Sequence, residues 1–522
     1  MLAPGDTGML FSKTISQAAV SVLAATLCIA SVAQADNLTV KTSDGKIHGK
    51  TLNDGKVRAF EGIPYAAPPV GDLRWKSPQP VKPWKETLDA TKFGPHCAQG
   101  HFFDDMVFQD NGMSEDCLSL NVYTPANAKK APVMFWIHGG GYTGGGSDEP
   151  RHNGDFLPTK GVILVTINYR LGVFGFLATP ELAAEQGGTA GNYGMEDMVA
   201  ALQWVKKNIA DFGGDPNNVT IFGESAGSFA VSTLMATPSA MGLFHKAIGE
   251  SGGALTTGTL AMPTLADAGP KDAEAIKPLG ATLAELRAVP TDKILAGTAK
   301  SGEVRFSPIL DGKFLSEPVS EVYAQGKQAK VPLLAGFNRD EGYFLANGMT
   351  ADKWTADSTK RWADKAAAFL KLYPATSDTE AVRTATDFGG DQFIAFGTWK
   401  WIEMDRRTGN KDIYRYKLDL AAPPSKFHPG SYAFHSDDIE YVFGTLDTRP
   451  GAVWRDEDRK LSDQMMDYWT NFAKKGDPNG PGLPEWPKYT EGDPVLHLDN
   501  PITARPDENR GRYEFWLDSE KK

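Results

Sequence analysis

Gly223-Glu224-Ser225-Ala226-Gly227 fits the pattern G-x-S-x-G, in which a serine is presented on a tight turn from a strand into a helix. Nucleophilic attack explains each part of the pattern. The helix crosses close to the strand, so the residues flanking the serine must lack bulky side chains. The turn exposes the hydroxyl, and the helix N-terminus behind it favours developing negative charge. Val219-Thr220-Ile221-Phe222 reads as a strand before the turn, and Phe229 to Ala236 as a helix after it. Gly249-Glu250-Ser251-Gly252-Gly253 matches the same pattern after Ala247-Ile248. The next residues, Ala254 to Gly258, start a helix less well, so context favours Ser225 over Ser251.

His138-Gly139-Gly140-Gly141-Tyr142 comes directly after the apolar run Val133 to Ile137. It matches a loop type whose backbone N–H groups supply part of an oxyanion hole, and glycines let that backbone come close to a substrate oxygen. An ordinary flexible glycine loop is the alternative, since Gly144-Gly145-Gly146 lies nearby. A serine of this kind takes its acid and then its histidine from later in the chain. His245, His428, His435 and His497 come after Ser225, and His245 comes too soon to leave room for an acid-bearing strand. Val331 to Phe337 reads as a strand, with Asp340 and Glu341 just past its C-terminal end, where open parallel sheets collect their active-site groups. The residues alone leave both acids open, and a surface ion pair would account for either.

The elements that must hold these groups alternate. Val133 to Ile137 and Val162 to Ile167 are short apolar runs of the kind found in buried parallel strands. Met195, Met198, Val199, Leu202, Val205 and Ile209 recur at helical spacing, and Gly213 to Pro216 ends that helix. Further strands are expected at Ala247-Ile248 and Ile413 to Leu418, and a helix from Leu461 to Lys475. Residues 255–299 and 351–406 read as mainly helical insertions over the sheet. Strand, helix, strand, helix predicts an α/β fold with a large, mostly parallel sheet and helices on both faces.

The 522 residues are 41% hydrophobic and 23% charged, enough apolar content for a large core. A formal charge of -11 argues against nucleic-acid binding, which needs a basic face, and gives an anionic substrate no general electrostatic help. Residues 1–35 read as a cleaved signal peptide: Lys13, an apolar run from Ala18 to Ala33, then Ala33-Gln34-Ala35 before Asp36. This places the mature chain, 36–522, in the periplasm or outside the cell. No later stretch is apolar enough to span a bilayer. Cys28 leaves with the signal, so Cys97 and Cys117 remain as an even pair bound for an oxidising compartment. A bridge is expected, with two buried thiols as the alternative.

From about Asp36 to Trp516 the chain resembles the type B carboxylesterases, the group that includes the cholinesterases. Phe60-Glu61-Gly62-Ile63-Pro64-Tyr65, Ser114-Glu115-Asp116-Cys117-Leu118, Asn168-Tyr169-Arg170-Leu171, Gly191-Asn192 and Phe222 to Gly227 carry the likeness. The resemblance implies an α/β-hydrolase fold and a serine esterase with Ser225 as nucleophile, Glu341 as acid and His435 as base. It also implies oxyanion donors at Gly140, Gly141 and Ala226, a Cys97–Cys117 disulfide and an Arg74–Glu115 salt bridge. No metal or cofactor is called for, and the partner is a small-molecule ester. Hydrolysis of an amide, thioester or carbamate by the same triad is the runner-up. A binding protein that kept the fold is the more distant rival, since such relatives lack the serine. Ser436 and Ser228 stand where many relatives have glycine, and neither is expected to touch the chemistry. Val107, beside Phe108, stands where cholinesterases carry their choline-binding tryptophan, which puts choline recognition in doubt. Glu224 reads as a buried residue bonded to nearby backbone. Phe393, Phe396, Trp399 and Trp401 either line a pocket or belong to the core, with core the favoured reading for each.

Overall fold

The computed structural model describes residues 38–521 apart from 111, 257–259, 300–303 and 491, so the segment read as a signal peptide lies outside the described residues. Eleven strands form the main sheet. In chain order they are β1 (Lys50–Leu52), β2 (Val57–Pro64), β3 (Ser119–Pro125), β4 (Ala131–Ile137), β5 (Ile163–Ile167) and β6 (Gly214–Glu224). They continue as β7 (Lys246–Glu250), β8 (Leu333–Asn338), β9 (Ile413–Leu418), β10 (Pro494–Leu498) and β11 (Thr503–Pro506). Their order across the sheet is β11-β10-β9-β8-β7-β6-β4-β5-β3-β2-β1. The run from β10 through β7, β6 and β4 to β5 is parallel. The strands beyond it on either side are antiparallel.

Side chains on the central strands alternate between two cores, as the pleat requires. Phe135 and Ile137 of β4 join one cluster, and Met134 and Trp136 the other. The first face is covered by α1 (Tyr193–Asn208) and α2 (Ala226–Met235), through Met198, Leu202, Ala230 and Leu234 among others. The second is covered by α3 (Asp456–Lys475), through Leu461, Met465, Trp469 and Phe472. Burial on both faces is why these strands read as continuous apolar runs. Full burial of each such side chain stabilises the fold by about 1.5–3 kcal/mol.

The insertions are helical: Leu265–Ile276, Leu283–Ala288 and Thr291–Ala299, then Ala351–Trp362, Ala366–Leu372, Asp378–Gly390 and Phe396–Arg407. A small three-stranded sheet of Thr39–Lys41, Lys46–His48 and Leu88–Asp89 lies apart from the main one. Cys97 and Cys117 form a disulfide. Among the described residues no helix is long and apolar enough to cross a membrane.

Candidate active site

Strand β6 ends at Glu224 and α2 begins at Ala226, leaving Ser225 alone at the corner with φ 54° and ψ -121°. Such backbone costs about 1–3 kcal/mol and persists only where its surroundings enforce it. Here the Ser225 N–H donates to the Glu250 carbonyl at 2.9 Å, tying the corner to β7. A Cβ on Gly227 would lie 2.0 Å from the Ile137 carbonyl oxygen, and one on Gly223 2.5 Å from the same atom. The two glycines are therefore what let helix and strand close around the serine.

His435 Nε2 lies 2.8 Å from Ser225 Oγ, and its Nδ1 lies 2.6 Å from Glu341 Oε2. With Nδ1–H donating to the carboxylate, the Nε2 lone pair is left to receive the serine hydroxyl proton. The other carboxylate oxygen, Glu341 Oε1, accepts the Asn338 N–H at 2.9 Å, which fixes the acid at the C-terminal end of β8. The competing residues lie elsewhere. Asp340 is also buried, but it pairs with Arg339 at 2.8 Å and with Arg383, and it accepts the Ala433 N–H at 2.9 Å. His428 packs its ring against Phe434 with centroids 3.7 Å apart. Ser251 shares the unusual backbone, with φ 55°, but is fully buried, and it is not among the residues lining the cavity that holds Ser225.

Glu224 departs from the sequence reading. It is buried, as expected, yet among the described residues no backbone N–H donates to its carboxylate. Instead Oε1 sits 3.3 Å from His435 Nε2. Burial pushes its pKa up to about 8, against the pull of His435 and Arg151. Burial also opposes the charged form of His435, but the carboxylates of Glu224 and Glu341 outweigh it and raise the imidazole to about 9. Deeper in the protein, Asp438 accepts from the Tyr416 hydroxyl at 2.7 Å and from Asn338 Nδ2 at 3.2 Å. Glu250 accepts from Trp469 Nε1 at 2.6 Å, and burial raises its pKa well above the ordinary value.

A cavity of about 290 Å³ opens over Ser225. Gly140 and Gly141, with φ 94° and 64°, and Ala226 at the start of α2 line it, and among the described residues none of their N–H groups is hydrogen-bonded to a protein acceptor. Met106, Phe229, Leu260, Met262 and Phe393 make the cavity largely apolar. Phe103, Asp105 and Met106 on its wall come from the loop closed by the Cys97–Cys117 disulfide. One expectation is corrected here. Of the four aromatics for which core is the favoured reading, Phe393 instead faces the cavity and lies 5.0 Å from the His435 ring, whereas Phe396, Trp399 and Trp401 are core. Ser436 lines the cavity beside His435, while Ser228 is buried and donates to the Gly252 carbonyl at 2.7 Å.

Val107 is exposed and Phe108 stacks on His96 at 4.0 Å, so neither borders the catalytic cavity. Arg74 and Glu115 form a bidentate pair at 2.6 and 2.7 Å. Sequence reasoning missed Arg151 and Arg305, which also border the cavity. Neither carries a motif, and only folding brings them near Ser225.

A mostly parallel sheet covered by helices on both faces, with an elbow serine at the C-terminal end of a central strand, defines an α/β-hydrolase. Comparison with known proteins agrees. The chain is 34% identical to a solved structure of PNB esterase and superposes on it with a TM-score of 0.77, covering 91% of this chain and 99% of that one. The family model described as "Carboxylesterase family" matches residues 36–516, and the chain belongs to that family. It is a carboxylic-ester hydrolase. It is 35% identical to the fumonisin B1 esterase of Sphingopyxis macrogoltabida, over 90% of this chain and 88% of that protein. It is 36% identical to the para-nitrobenzyl esterase of Bacillus subtilis, over 90% and 96% of the two chains.

Proposed function

We propose that Ser225, His435 and Glu341 hydrolyse esters in two acyl-transfer steps. The observation that carries this reading is the unbroken line of contacts at the cavity floor: 2.8 Å from serine to histidine and 2.6 Å from histidine to glutamate. His435 Nε2 takes the Ser225 hydroxyl proton as Oγ attacks the ester carbonyl, and Glu341 holds the imidazole tautomer and stabilises the imidazolium that forms. Negative charge on the former carbonyl oxygen is met by the N–H groups of Gly140, Gly141 and Ala226, where loss of one donor costs about 3–4 kcal/mol of barrier. His435 returns the proton to the leaving alkoxide, giving the alcohol and an acyl-Ser225. Water, with its proton taken by His435, then attacks the acyl group and frees the acid.

The substrate is a small-molecule ester whose apolar part fits the cavity. Export through residues 1–35 belongs to the same reading, and the disulfide suits an oxidising compartment. The test is hydrolysis of 4-nitrophenyl esters of increasing acyl length by the parent, Ser225→Ala and Ser251→Ala. The parent and Ser251→Ala are expected to turn over and Ser225→Ala to fall to background. Activity surviving in Ser225→Ala, or lost only in Ser251→Ala, refutes the assignment.

A further inference from the structure

Among the described residues, the charged side chains bordering the catalytic cavity besides His435 are Asp105, Arg151, Glu224 and Arg305. The first three are accounted for. Arg151 is paired with Glu149 at 2.8 Å and with Asp105 at 3.4 Å. Glu224 sits against the imidazole, with Oε1 3.3 Å from His435 Nε2. Arg305 is different: it is exposed, and among the described residues no carboxylate pairs with it.

A second unmet group borders the same cavity. Tyr142 borders the same cavity and is only 5% exposed, yet its hydroxyl has no hydrogen-bond partner among the described residues. Burial raises the phenol pKa, and the nearby Arg305 charge draws it back down. The residue is held in place. Its φ is 63°, its carbonyl accepts the Gly172 N–H at 2.7 Å, and its ring meets Phe176 edge-on at 5.3 Å. A buried donor left without an acceptor is costly unless a ligand supplies one. An unpartnered O–H and an unpaired guanidinium bordering one cavity, close enough for the charge to act on the phenol, are donors suited to a carboxylate.

We propose that Arg305 and Tyr142 form a carboxylate subsite, and that the enzyme prefers esters carrying an acid group in addition to the scissile ester. This inference rests on the esterase reading above. The contact of Glu224 with His435 and the pairing of Asp105 with Arg151 offset the repulsion such an anion would otherwise meet in the cavity. The overall charge of -11 offers no long-range attraction, so selection acts at contact distance, inside the cavity.

The subsite is tested with matched ester pairs on the whole enzyme. For an acid group on the acyl side, 4-nitrophenyl hydrogen adipate is compared with its neutral methyl ester, 4-nitrophenyl methyl adipate. For an acid group on the alcohol side, the butyrate ester of 4-hydroxybenzoic acid is compared with that of methyl 4-hydroxybenzoate. The readout is the charged-to-neutral ratio of kcat/KM within each variant. The parent is expected to favour the charged member of at least one pair, and the pair that responds shows which side of the ester occupies the subsite. Arg305→Gln is expected to cut that ratio about 10- to 100-fold, as loss of a charge-assisted hydrogen bond does. Arg305→Lys should recover part of it, and Tyr142→Phe should lower it several-fold. A parent ratio at or below one in both pairs overturns the proposal, as does a ratio unchanged in Arg305→Gln. Turnover of the neutral esters, and its loss in Ser225→Ala, reports separately on the esterase reading.

Discussion

Replacing Glu224 by Gln keeps the shape of the side chain and removes its ability to carry charge, 3.3 Å from the nitrogen that must act as base. At that distance, with an effective dielectric of about 20, a full carboxylate charge would favour protonated His435 by about 5 kcal/mol. The realised effect is smaller because burial pushes the pKa of Glu224 itself up to about 8, so the charges of the two groups are coupled as they titrate. A drop of about one to two units in the acid limb of kcat/KM is expected in Glu224→Gln, at 1.36 kcal/mol per unit. The direction has a clear cause: Glu224 is the first of the groups that raise His435 to about 9, so losing it lets the imidazole become a free base at lower pH. The assay is 4-nitrophenyl acetate hydrolysis from about pH 5 to 10, read at the isosbestic wavelength of 4-nitrophenol. An acid limb coincident with that of the parent refutes the coupling. Stability should respond as well. Between an ordinary pKa of 4.5 and about 8, folded Glu224 retains a proton that the unfolded chain has released, so the parent loses stability as pH climbs through that window. Glu224→Gln should flatten that slope in denaturant melts at pH 5 and pH 8.

Glu341→Gln should lower kcat by about three to four orders of magnitude, because an amide at Oε2 no longer holds Nδ1–H toward it and the Nε2 lone pair toward Ser225. Far-ultraviolet circular dichroism close to that of the parent would show that the loss is chemical, and near-parental turnover would remove Glu341 from the mechanism. Gly227→Ala should both inactivate and destabilise the enzyme, since its Cβ would sit 2.0 Å from the Ile137 carbonyl oxygen; an active, equally stable variant would show that the elbow has slack. The double substitution Cys97→Ser, Cys117→Ser opens a loop of sequence separation 20 and should cost about 2–4 kcal/mol, visible as a lower denaturation midpoint.

The features legible in the sequence were those set by local rules. The apolar runs of β4, β5 and β6 are buried on both faces, so their composition alone marks them as strands. The elbow and the glycine loop are contiguous stretches whose backbone demands appear directly as residue types. Edge strands gave no such signal. Lys50-Thr51-Leu52 and the fully exposed Thr503–Pro506 lack apolar alternation, because little of them is covered. The residues alone left the choice between Asp340 and Glu341 open, and only the family resemblance pointed to Glu341. Both are buried and adjacent, and only the positions of Arg383 and His435 separate them. Core and pocket both stayed open for Phe393 because an aromatic in a helical insertion has the same pattern whether it meets another helix or a cavity.

The bridged segment from Cys97 to Cys117 contributes Phe103, Asp105 and Met106 to the cavity wall, and both of its ends are pinned covalently. Cavity-wall residues between the pins, away from Glu115 and its pair with Arg74, can therefore be exchanged while the bridge keeps the ends of the segment together. One contiguous stretch of gene thus carries a share of the substrate contacts on a frame that tolerates change. Selection, natural or in the laboratory, can retune what this enzyme accepts by rewriting that stretch while Ser225, His435 and Glu341 stay where the sheet puts them.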